Sequence, residues 1–212
     1  MTKFIRVVIH VLTLIFLLMF AAQLLTSRWY LAVSEGRYDA HSEIMYDHDY
    51  VAFELIDYLN YRHDDLTFGA TESDPTTLMR DIEIRHMEDV KNLYTVLRIV
   101  ALTSGLTAAL LLTIQARKDR QAMYLTLRSM FVIPLMFTLF IGTWFAIDFS
   151  RIFTLFHELF FSNDDWLLRY DDVLIQLLPS GFWLVSGVLI LAFLMAVEIA
   201  FYRFASRRLK RM

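Results

Sequence analysis

Four long apolar runs constrain this chain more than any other feature of its sequence. They cover residues 7–25, 99–116, 129–147 and 181–202. Each has about the 18–20 residues that cross a bilayer core of ~30 Å as a helix, and a backbone in lipid must form its hydrogen bonds within the segment. The sequence therefore predicts an all-α, polytopic membrane protein with four transmembrane helices and a helical extracytoplasmic domain.

The first apolar run also resembles a secretion signal, because Lys3 and Arg6 precede it. Its apolar stretch is longer than the core of a signal peptide, and "FAAQLLTSRW" has no clean small-x-small cleavage site. We therefore expect a retained transmembrane helix, with a cleaved leader as the alternative.

Basic residues lie at the N-terminus, between the second and third runs, and after the fourth run. These three segments hold 11 of the 20 Lys and Arg residues, and four membrane crossings place all of them on one side. By the positive-inside rule that side is the cytoplasm, so both termini are expected there. Residues 26–96 hold 15 acidic against six basic residues, and residues 148–180 hold six against two, so both segments are expected to be extracytoplasmic.

These assignments give the predicted organisation of the chain. It consists of transmembrane helix 1 (1–25), an extracytoplasmic helical domain (26–96), transmembrane helix 2 (97–116), a cytoplasmic loop (117–128), transmembrane helix 3 (129–147), an extracytoplasmic interfacial amphipathic segment (148–180), transmembrane helix 4 (181–203) and a basic cytoplasmic tail (204–212).

Composition excludes several classes of function. The basic residues form short flanks of membrane helices rather than a patch on a folded domain, so nucleic-acid binding is not expected. The chain has no cysteine, which excludes disulfides, thiolate metal sites and cysteine nucleophiles. A covalent intermediate would need a serine, a threonine or a carboxylate, and the serines lack the context of a nucleophile elbow.

Two helical patterns divide the long acidic segment. "DYVAFELIDYLNY" places Val51, Leu55, Tyr58 and Leu59 on one helix face. After the turn-forming "GATESDPTT", "TTLMRDIEIRHMEDVKNLYTVLR" predicts a second helix, capped by a threonine of that turn.

His86 in the second helix is the first candidate for acid–base chemistry. Glu83 lies three residues before it and Asp89 three residues after it, so two acids flank the imidazole at helical spacing. A carboxylate that accepts a hydrogen bond from one ring nitrogen fixes the tautomer and raises the basicity of the other nitrogen. An exposed histidine on an acidic amphipathic helix is the simpler alternative.

His157 is the second candidate, in "IFTLFHELFFSNDDW". This segment is too polar to span a membrane yet rich in aromatic residues, which is typical of a segment at the headgroup boundary. A base at that depth suits acyl chemistry on lipid esters, whereas an imidazole that only anchors the segment is the alternative. We predict that Phe153, Phe156, Phe160 and Trp166 line a pocket beside His157.

Three further histidines stand beside acidic residues in the first acidic segment: His41, His48 and His63. Imidazole and carboxylate groups are metal ligands, but the spacing is not that of a dense ligand set. A solvated acidic surface is the favoured interpretation, so no metal or other cofactor is predicted.

Three motifs within this four-helix layout resemble the lipoprotein intramolecular transacylases of Gram-positive bacteria. They are "IDYL" (56–59), "HMEDVK" (86–91) and "FHELFFSNDDW" followed by "DDVLIQLLPSGFW". The resemblance implies that the substrate is a diacylated bacterial lipoprotein. It also implies that the protein contacts membrane lipid and that its active site lies at the outer face of the cell membrane. It also implies the reaction, in which the sn-2 acyl chain moves to the α-amino group of the N-terminal cysteine and leaves the lyso form. In this resemblance His86 and His157 are the two functional histidines.

The resemblance agrees with the chemistry of the candidate residues. One histidine can take the ammonium proton and return it to the sn-2 oxygen, while the second stabilises the oxyanion. The residues expected to orient the histidines or arginines, rather than transfer protons, are Glu83, Asp89, Asp148, Arg98 and Arg151.

Two other classes of function stay open from the sequence. A membrane scaffold whose acidic domain binds another protein is the main alternative to an enzyme. A transporter is weaker, because the centres of the four runs hold few polar groups. Glu198 lies about as deep in the fourth run as His10 lies in the first, counted from the same side of the membrane. It is therefore expected to pair with His10 or Arg6 as a packing contact, since an unpaired carboxylate in lipid is costly.

Overall fold

The structure, a computed structural model, describes residues 3–30 and 46–212, and this part of the chain is helical without any strand. In chain order its helices are α1 (Lys3–Leu24), α2 (His48–Leu59), α3 (Asp81–Lys118), α4 (Arg120–Ser129), α5 (Val132–Phe160), α6 (Val173–Leu177) and α7 (Ser180–Leu209). Four helical stretches are long and apolar enough to cross a membrane: Lys3–Leu24, Asp81–Lys118, Arg120–Phe160 and Ser180–Leu209. The predicted all-α membrane fold with four spans is confirmed.

The helices pack into two compact units. The apolar unit consists of Met1–Ala22, Leu97–Ile147 and Gly187–Met212, and the acidic unit consists of Gln23–Val96 and Asp148–Ser186. Helices α3 and α5 each contribute to both units, and they pass from one to the other where the apolar runs of the sequence begin or end.

The apolar unit has a core from α1, α4 and α7. Its buried members are Ile9, Leu127, Met130 and Ala205. Beside this core, His10 Nε2 lies 3.2 Å from the carbonyl oxygen of Thr126 and 3.3 Å from the hydroxyl of Ser129. The amide of Gln115 donates to the Thr126 hydroxyl at 2.9 Å. These hydrogen bonds stabilise polar groups that would be costly to bury unpaired.

Two glycines allow close helix contacts in the apolar unit. A Cβ atom on Gly187 would lie 2.2 Å from Cε2 of Phe145, and one on Gly105 would lie 2.7 Å from Cδ2 of Phe16. Small residues at such positions let helices approach closely in a membrane, where packing rather than the hydrophobic effect drives association.

Glu198 in α7 does not pair as expected. Its side chain is 1% exposed, and neither carboxylate oxygen has a hydrogen-bond partner within the described residues. The expected pairing with His10 or Arg6 is therefore wrong. The ring of His10 instead meets the end of α4. This helix occupies most of the segment 117–128, for which a loop is predicted. Asp119 starts this helix by accepting a hydrogen bond from the backbone of Ala122 at 2.9 Å.

The acidic unit has its own core, formed by α2, the first part of α3, and α6. Its buried members are Val51, Leu55, Tyr58, Leu59, Leu66, Phe68, Met79, Met87, Val173 and Leu174. The helix face predicted from "DYVAFELIDYLNY" is confirmed, because all four of its predicted residues are buried. Asp57, on the same helix, accepts hydrogen bonds from the guanidinium groups of Arg28 and Arg62.

The start of α3 differs from the prediction of a threonine cap. The helix begins at Asp81, and the side chain of Glu83 accepts a hydrogen bond from the backbone N–H of Arg80 at 2.9 Å. A glutamate that reaches back to the residue before the helix forms half of a capping box. The hydroxyl of Thr76 instead donates to Asp74 at 2.7 Å, within the preceding turn.

Asp148 divides α5 at the boundary of the two units. Its φ and ψ of −155° and 81° are not helical, and its carboxylate accepts a hydrogen bond from the backbone N–H of Arg151 at 2.9 Å. Aspartate competes with helical hydrogen bonds in this way and caps a new helix. The second part of α5, which carries His157, therefore starts at a fixed point.

Two carboxylate-to-amide substitutions are expected to change stability in opposite directions. Glu198→Gln removes a buried carboxylate that has no partner, so the midpoint of thermal unfolding in detergent should stay equal or rise. Asp57→Asn, the matched control, removes a buried acceptor of two arginines and should cost about 1–3 kcal/mol. A fall in the unfolding midpoint of Glu198→Gln comparable to that of Asp57→Asn would contradict the unpaired state of Glu198.

Candidate active site

His86 is buried on the face of α3 that packs inside the acidic unit. The capping residue Glu83, one turn earlier on the same face, is fully buried. Its second carboxylate oxygen accepts a hydrogen bond from the backbone of Leu174, at the start of α6, at 3.0 Å. This bond joins the first turn of α3 to α6. The interpretation of His86 as an exposed histidine is wrong, since its side chain is 8% exposed.

The acidic unit brings His86 and His157 together. Their ring centroids are 5.9 Å apart with an interplanar angle of 33°, and His157 is as buried as His86, at 9% exposure. The ring of Phe161 packs against both, 5.2 Å from His86 and 5.6 Å from His157. Two imidazoles separated by 71 positions in the chain thus share one aromatic site.

One hydrogen bond fixes the tautomer of neutral His157. Its Nδ1 lies 2.7 Å from the backbone carbonyl oxygen of Phe153, one turn earlier. A carbonyl oxygen can only accept, so Nδ1 carries the proton and Nε2 carries the lone pair. His86 has a different environment, because its buried Nδ1 has no hydrogen-bond partner in the described part of the chain.

Burial keeps both imidazoles neutral near pH 7. Both lie outside the apolar runs of α3 and α5, in the acidic unit. Burial, followed by the charge of His157, lowers the pKa of His86 to about 4, although the carboxylates of Asp89 and Asp165 favour the protonated form. Burial also lowers the pKa of His157, against the raising effect of its bond to the Phe153 carbonyl. Neutral imidazoles can accept or donate a proton, as acid–base chemistry requires.

The predicted aromatic residues surround His157. Ring centroids lie 4.2 Å away for Phe153, 5.4 Å for Phe156 and 5.0 Å for Trp166. Phe160 packs on Phe156 at 4.8 Å, and both of these side chains remain almost half exposed. The structure thus places the four residues in one aromatic cluster beside His157.

A turn after α5 is attached to α3 on both sides of His86. Arg85 forms two hydrogen bonds with the carboxylate of Asp165, at 3.0 and 2.9 Å. Asn163 donates to the carboxylate of Asp89 at 2.7 Å. The residue that follows Asp165 is Trp166, so the same turn delivers an aromatic ring to His157.

A known enzyme family matches most of the chain. The sequence model described as lipoprotein intramolecular transacylase Lit matches residues 4–183. The chain belongs to the lipoprotein intramolecular transacylase family. The family suggested by the sequence motifs is therefore confirmed, and with it the acyltransferase class of enzyme.

Solved structures from this family have the same fold. The membrane integral lipoprotein intramolecular transacylase of Bacillus cereus is 21% identical, with a TM-score of 0.79 over 99% of this chain and 98% of its own. Two variants of that protein, in which a histidine is replaced by arginine or alanine, give TM-scores of 0.77 and 0.73. Among curated sequences, an uncharacterized protein of Aquifex aeolicus (strain VF5) is 36% identical over 66 residues, which is 30% of each chain.

The five predicted supporting residues have different positions in this member of the transacylase family. Glu83 binds the backbone at both oxygens, Asp89 binds Asn163, and Asp148 caps the second part of α5 beside Arg151. Arg98 belongs to the apolar unit. Neither imidazole accepts or donates a hydrogen bond to these side chains in the described structure, and Asp89 acts on His86 through its charge.

Sequence reasoning missed the residues that hold the turn against α3. These are Arg85, Asn163 and Asp165, together with the ring of Phe161 between the histidines. Arg85 and Asp165 are 80 positions apart, so helical spacing gives no signal for their contact. The only local hint is that "SNDDW" places small polar turn formers directly after the helix.

The remaining histidines form no metal site in the part of the chain that the structure covers. No group of three or more His, Cys, Asp or Glu side chains there is arranged to hold a metal ion. His63 pairs with Glu54 at 2.8 Å, and His48 stacks on Tyr46 with ring centroids 4.7 Å apart. His41 lies outside the described residues.

Proposed function

We propose that this protein moves the sn-2 acyl chain of a diacylglyceryl-modified bacterial lipoprotein to the α-amino group of its N-terminal cysteine. The observation that carries the proposal is the pair of buried imidazoles 5.9 Å apart. Two neutral imidazoles at this separation can act on a nitrogen and an oxygen of one substrate. The membership of the transacylase family supports the same reaction.

Donor and acceptor belong to one molecule, so the protein mainly has to fold the substrate. Attack of the amine nitrogen on the sn-2 carbonyl carbon closes a ring of about eight atoms, and holding such a ring in position supplies much of the rate. The new N–C bond forms and the ester C–O bond then breaks. The proton released by the amine is transferred to the departing sn-2 oxygen. The products are an amide at the cysteine nitrogen and a free hydroxyl on the glyceryl group.

The hydrogen bond of His157 favours this residue as the base. Its Nδ1–H donates to the Phe153 carbonyl, which leaves the lone pair on Nε2 and stabilises the ring when it becomes protonated. His157 therefore accepts the amine proton and returns it to the sn-2 oxygen. The charged form of His86 is strongly disfavoured, so this ring stays neutral and donates an N–H to the oxyanion of the tetrahedral intermediate.

Exposed apolar side chains near His157 suit the acyl chains. Phe156 and Phe160 are 44% and 45% exposed, and Leu159 between them is 76% exposed. Large exposed apolar groups on one helix are typical of a lipid or ligand contact. An ester whose acyl chain lies along this surface would hold its carbonyl close to the base.

Fragmentation mass spectrometry tests the reaction directly. A synthetic diacylated lipopeptide is incubated in vesicles with the purified protein or with its His157→Ala variant. Intramolecular transfer leaves the total mass of the lipopeptide unchanged, and an N-acyl cysteine fragment should replace the unmodified one. Loss of one acyl chain as free acid would indicate a hydrolase, and an acyl group on the protein itself would exclude direct transfer. An unchanged lipopeptide would mean that the protein does not catalyse this transfer.

We further propose that the acidic unit is extracytoplasmic and both termini are cytoplasmic, from the distribution of basic residues. Single cysteines at Ser73 and Lys118, both exposed, can be labelled in intact cells with an impermeant thiol reagent. Lys118 is chosen because the neighbouring Asp119 caps α4. Position 73 should be labelled without lysis and position 118 only after lysis. The reverse pattern would invert the orientation.

A further inference from the structure

We propose that Asp165 is a positioning residue for the histidine pair, acting through His86 by its charge and through His157 by the placement of Trp166. The inference rests on the proposed function, because it assigns a role within that reaction. Asp165 lies in a turn formed by residues 163–166, the clamp turn.

The clamp turn attaches to α3 on both sides of His86. Its two contacts with α3 are Arg85, directly before His86, and Asp89, three residues after it. The Arg85–Asp165 contact is bidentate, at 3.0 and 2.9 Å, and such paired bonds fix geometry better than a single bond does. The clamp turn therefore holds a defined register against the helix turn that presents His86.

Internal hydrogen bonds order the clamp turn. The side-chain oxygen of Asn163 accepts from the backbone N–H of Asp165 at 3.1 Å, while its amide nitrogen donates to Asp89. The backbone N–H of Leu167 donates to the carbonyl of Asp164 at 3.0 Å. Because both the oxygen and the nitrogen of the Asn163 amide are hydrogen-bonded, the clamp turn has a fixed conformation. The position of Asp165 therefore determines the position of Trp166.

Trp166, the residue that follows Asp165, packs against His157. The Trp166 ring lies 5.0 Å from the ring of His157, tilted by 31°. An indole face near an imidazole favours the protonated, cationic ring. Moving the clamp turn would thus change the environment of the proposed base as well as that of His86.

Charged groups on three segments determine the electrostatic environment of His86. The titratable and charged groups that act on it are His157 from α5, Asp89 from α3 and Asp165 from the clamp turn. Arg85 pairs with Asp165, so its positive charge offsets part of that carboxylate's effect on His86. Removing the carboxylate and removing the guanidinium should therefore shift the protonation of the histidine pair in opposite directions.

The test compares pH profiles of the conversion rate for wild type, Asp165→Asn and Arg85→Met. The acid limb of the profile reports protonation of the coupled pair. Asp165→Asn should move this limb to lower pH and Arg85→Met to higher pH, each by about 0.5 unit, as expected for a partly solvated charge contact. Each variant should also lose on the order of 10-fold in kcat/KM, by analogy with residues that orient metal ligands.

A matched control is available in the same segment. Arg169 and Asp171 form an exposed ion pair at 2.7 Å that the proposal does not involve, so Asp171→Asn should keep the pH profile of wild type. Thermal unfolding of each variant separates loss of fold from loss of rate.

The outcomes distinguish this inference from the reaction on which it rests. If wild type fails to convert the lipopeptide, the proposed function is wrong. If wild type converts it and both clamp variants keep the wild-type acid limb, Asp165 has no positioning role. Limbs that move in the same direction in both variants would also overturn the charge argument, since they would reflect a general loosening of the site.

Discussion

His86→Ala and His157→Ala should each lower the rate of N-acylation by about 10²–10⁴-fold, the usual contribution of a positioned acid–base group. Both side chains are buried in one aromatic site with ring centroids 5.9 Å apart. Loss of His157 should remove the proton acceptor, and loss of His86 should remove the hydrogen-bond donor to the oxyanion. The measurement is the initial rate of appearance of N-acyl lipopeptide in vesicles, with protein amounts matched after purification.

Substitution by glutamine separates the two proposed roles. A glutamine amide can donate a hydrogen bond but cannot accept the amine proton at neutral pH, so His86→Gln should retain more activity than His86→Ala. His157→Gln should be as inactive as His157→Ala. His63→Ala serves as the control, because this histidine is exposed and paired with Glu54 at 2.8 Å. A reversed order, with His157→Gln the more active glutamine variant, would assign the base to His86.

The membrane fold follows from the sequence because the bilayer restricts the choices so strongly. An apolar run of sufficient length can only be a helix in lipid, and each of the four apolar runs coincides, to within one residue at its ends, with part of a helical stretch of the structure. The apolar face of α2 is equally predictable from the sequence, since helical spacing is a local property. Val51 and Leu55 on that face are both buried in the structure. Local periodicity was less informative for α3, whose most buried face includes Glu83 and His86.

The sequence predicts the two histidines from their chemical surroundings, but it does not predict the contacts that they and their neighbours make. A histidine among phenylalanines or between acids is conspicuous in a sequence, and so His86 and His157 stand out. Glu83 also stands out, yet its spacing from His86 suggests an imidazole partner, while its oxygens bind two backbone N–H groups. An unsatisfied helix N-terminus is a strong competitor for a nearby carboxylate. Spacing along one helix cannot reveal that competition.

Contacts between residues far apart in the sequence are the main features of the structure that the sequence does not predict. Arg85 meets Asp165 and Asp89 meets Asn163 only because α5 returns the chain to α3. The same limit explains Glu198, for which depth in the membrane suggested His10 as a partner. Depth gives a position along the membrane normal but not the direction in which a helix face points, and α4 takes the place opposite His10.

The second large effect expected is a loss of stability in acid caused by His86. Its pKa is lowered by burial, then by His157, to about 4 from 6.5. Above pH 6.5 neither the folded nor the unfolded state protonates this ring, so it has no pH-dependent effect there. As the pH falls from 6.5 towards 4 the unfolded state binds a proton that the folded state excludes, and stability is lost by about 3 kcal/mol in total.

The difference between wild type and His86→Gln isolates this contribution, because carboxylates that titrate in the same range are common to both proteins. Unfolding midpoints in detergent should fall more steeply for wild type between pH 7 and pH 4.5, by roughly 5–10 °C relative to the variant. His63→Gln, at an exposed position, should follow wild type. The predicted result is a variant that is poor in catalysis yet more resistant to acid, because the burial that keeps the ring neutral for chemistry is also what makes its protonation unfavourable. Parallel curves for wild type and His86→Gln would mean that His86 is solvated in the folded protein, and the buried histidine pair would then no longer support the proposed mechanism.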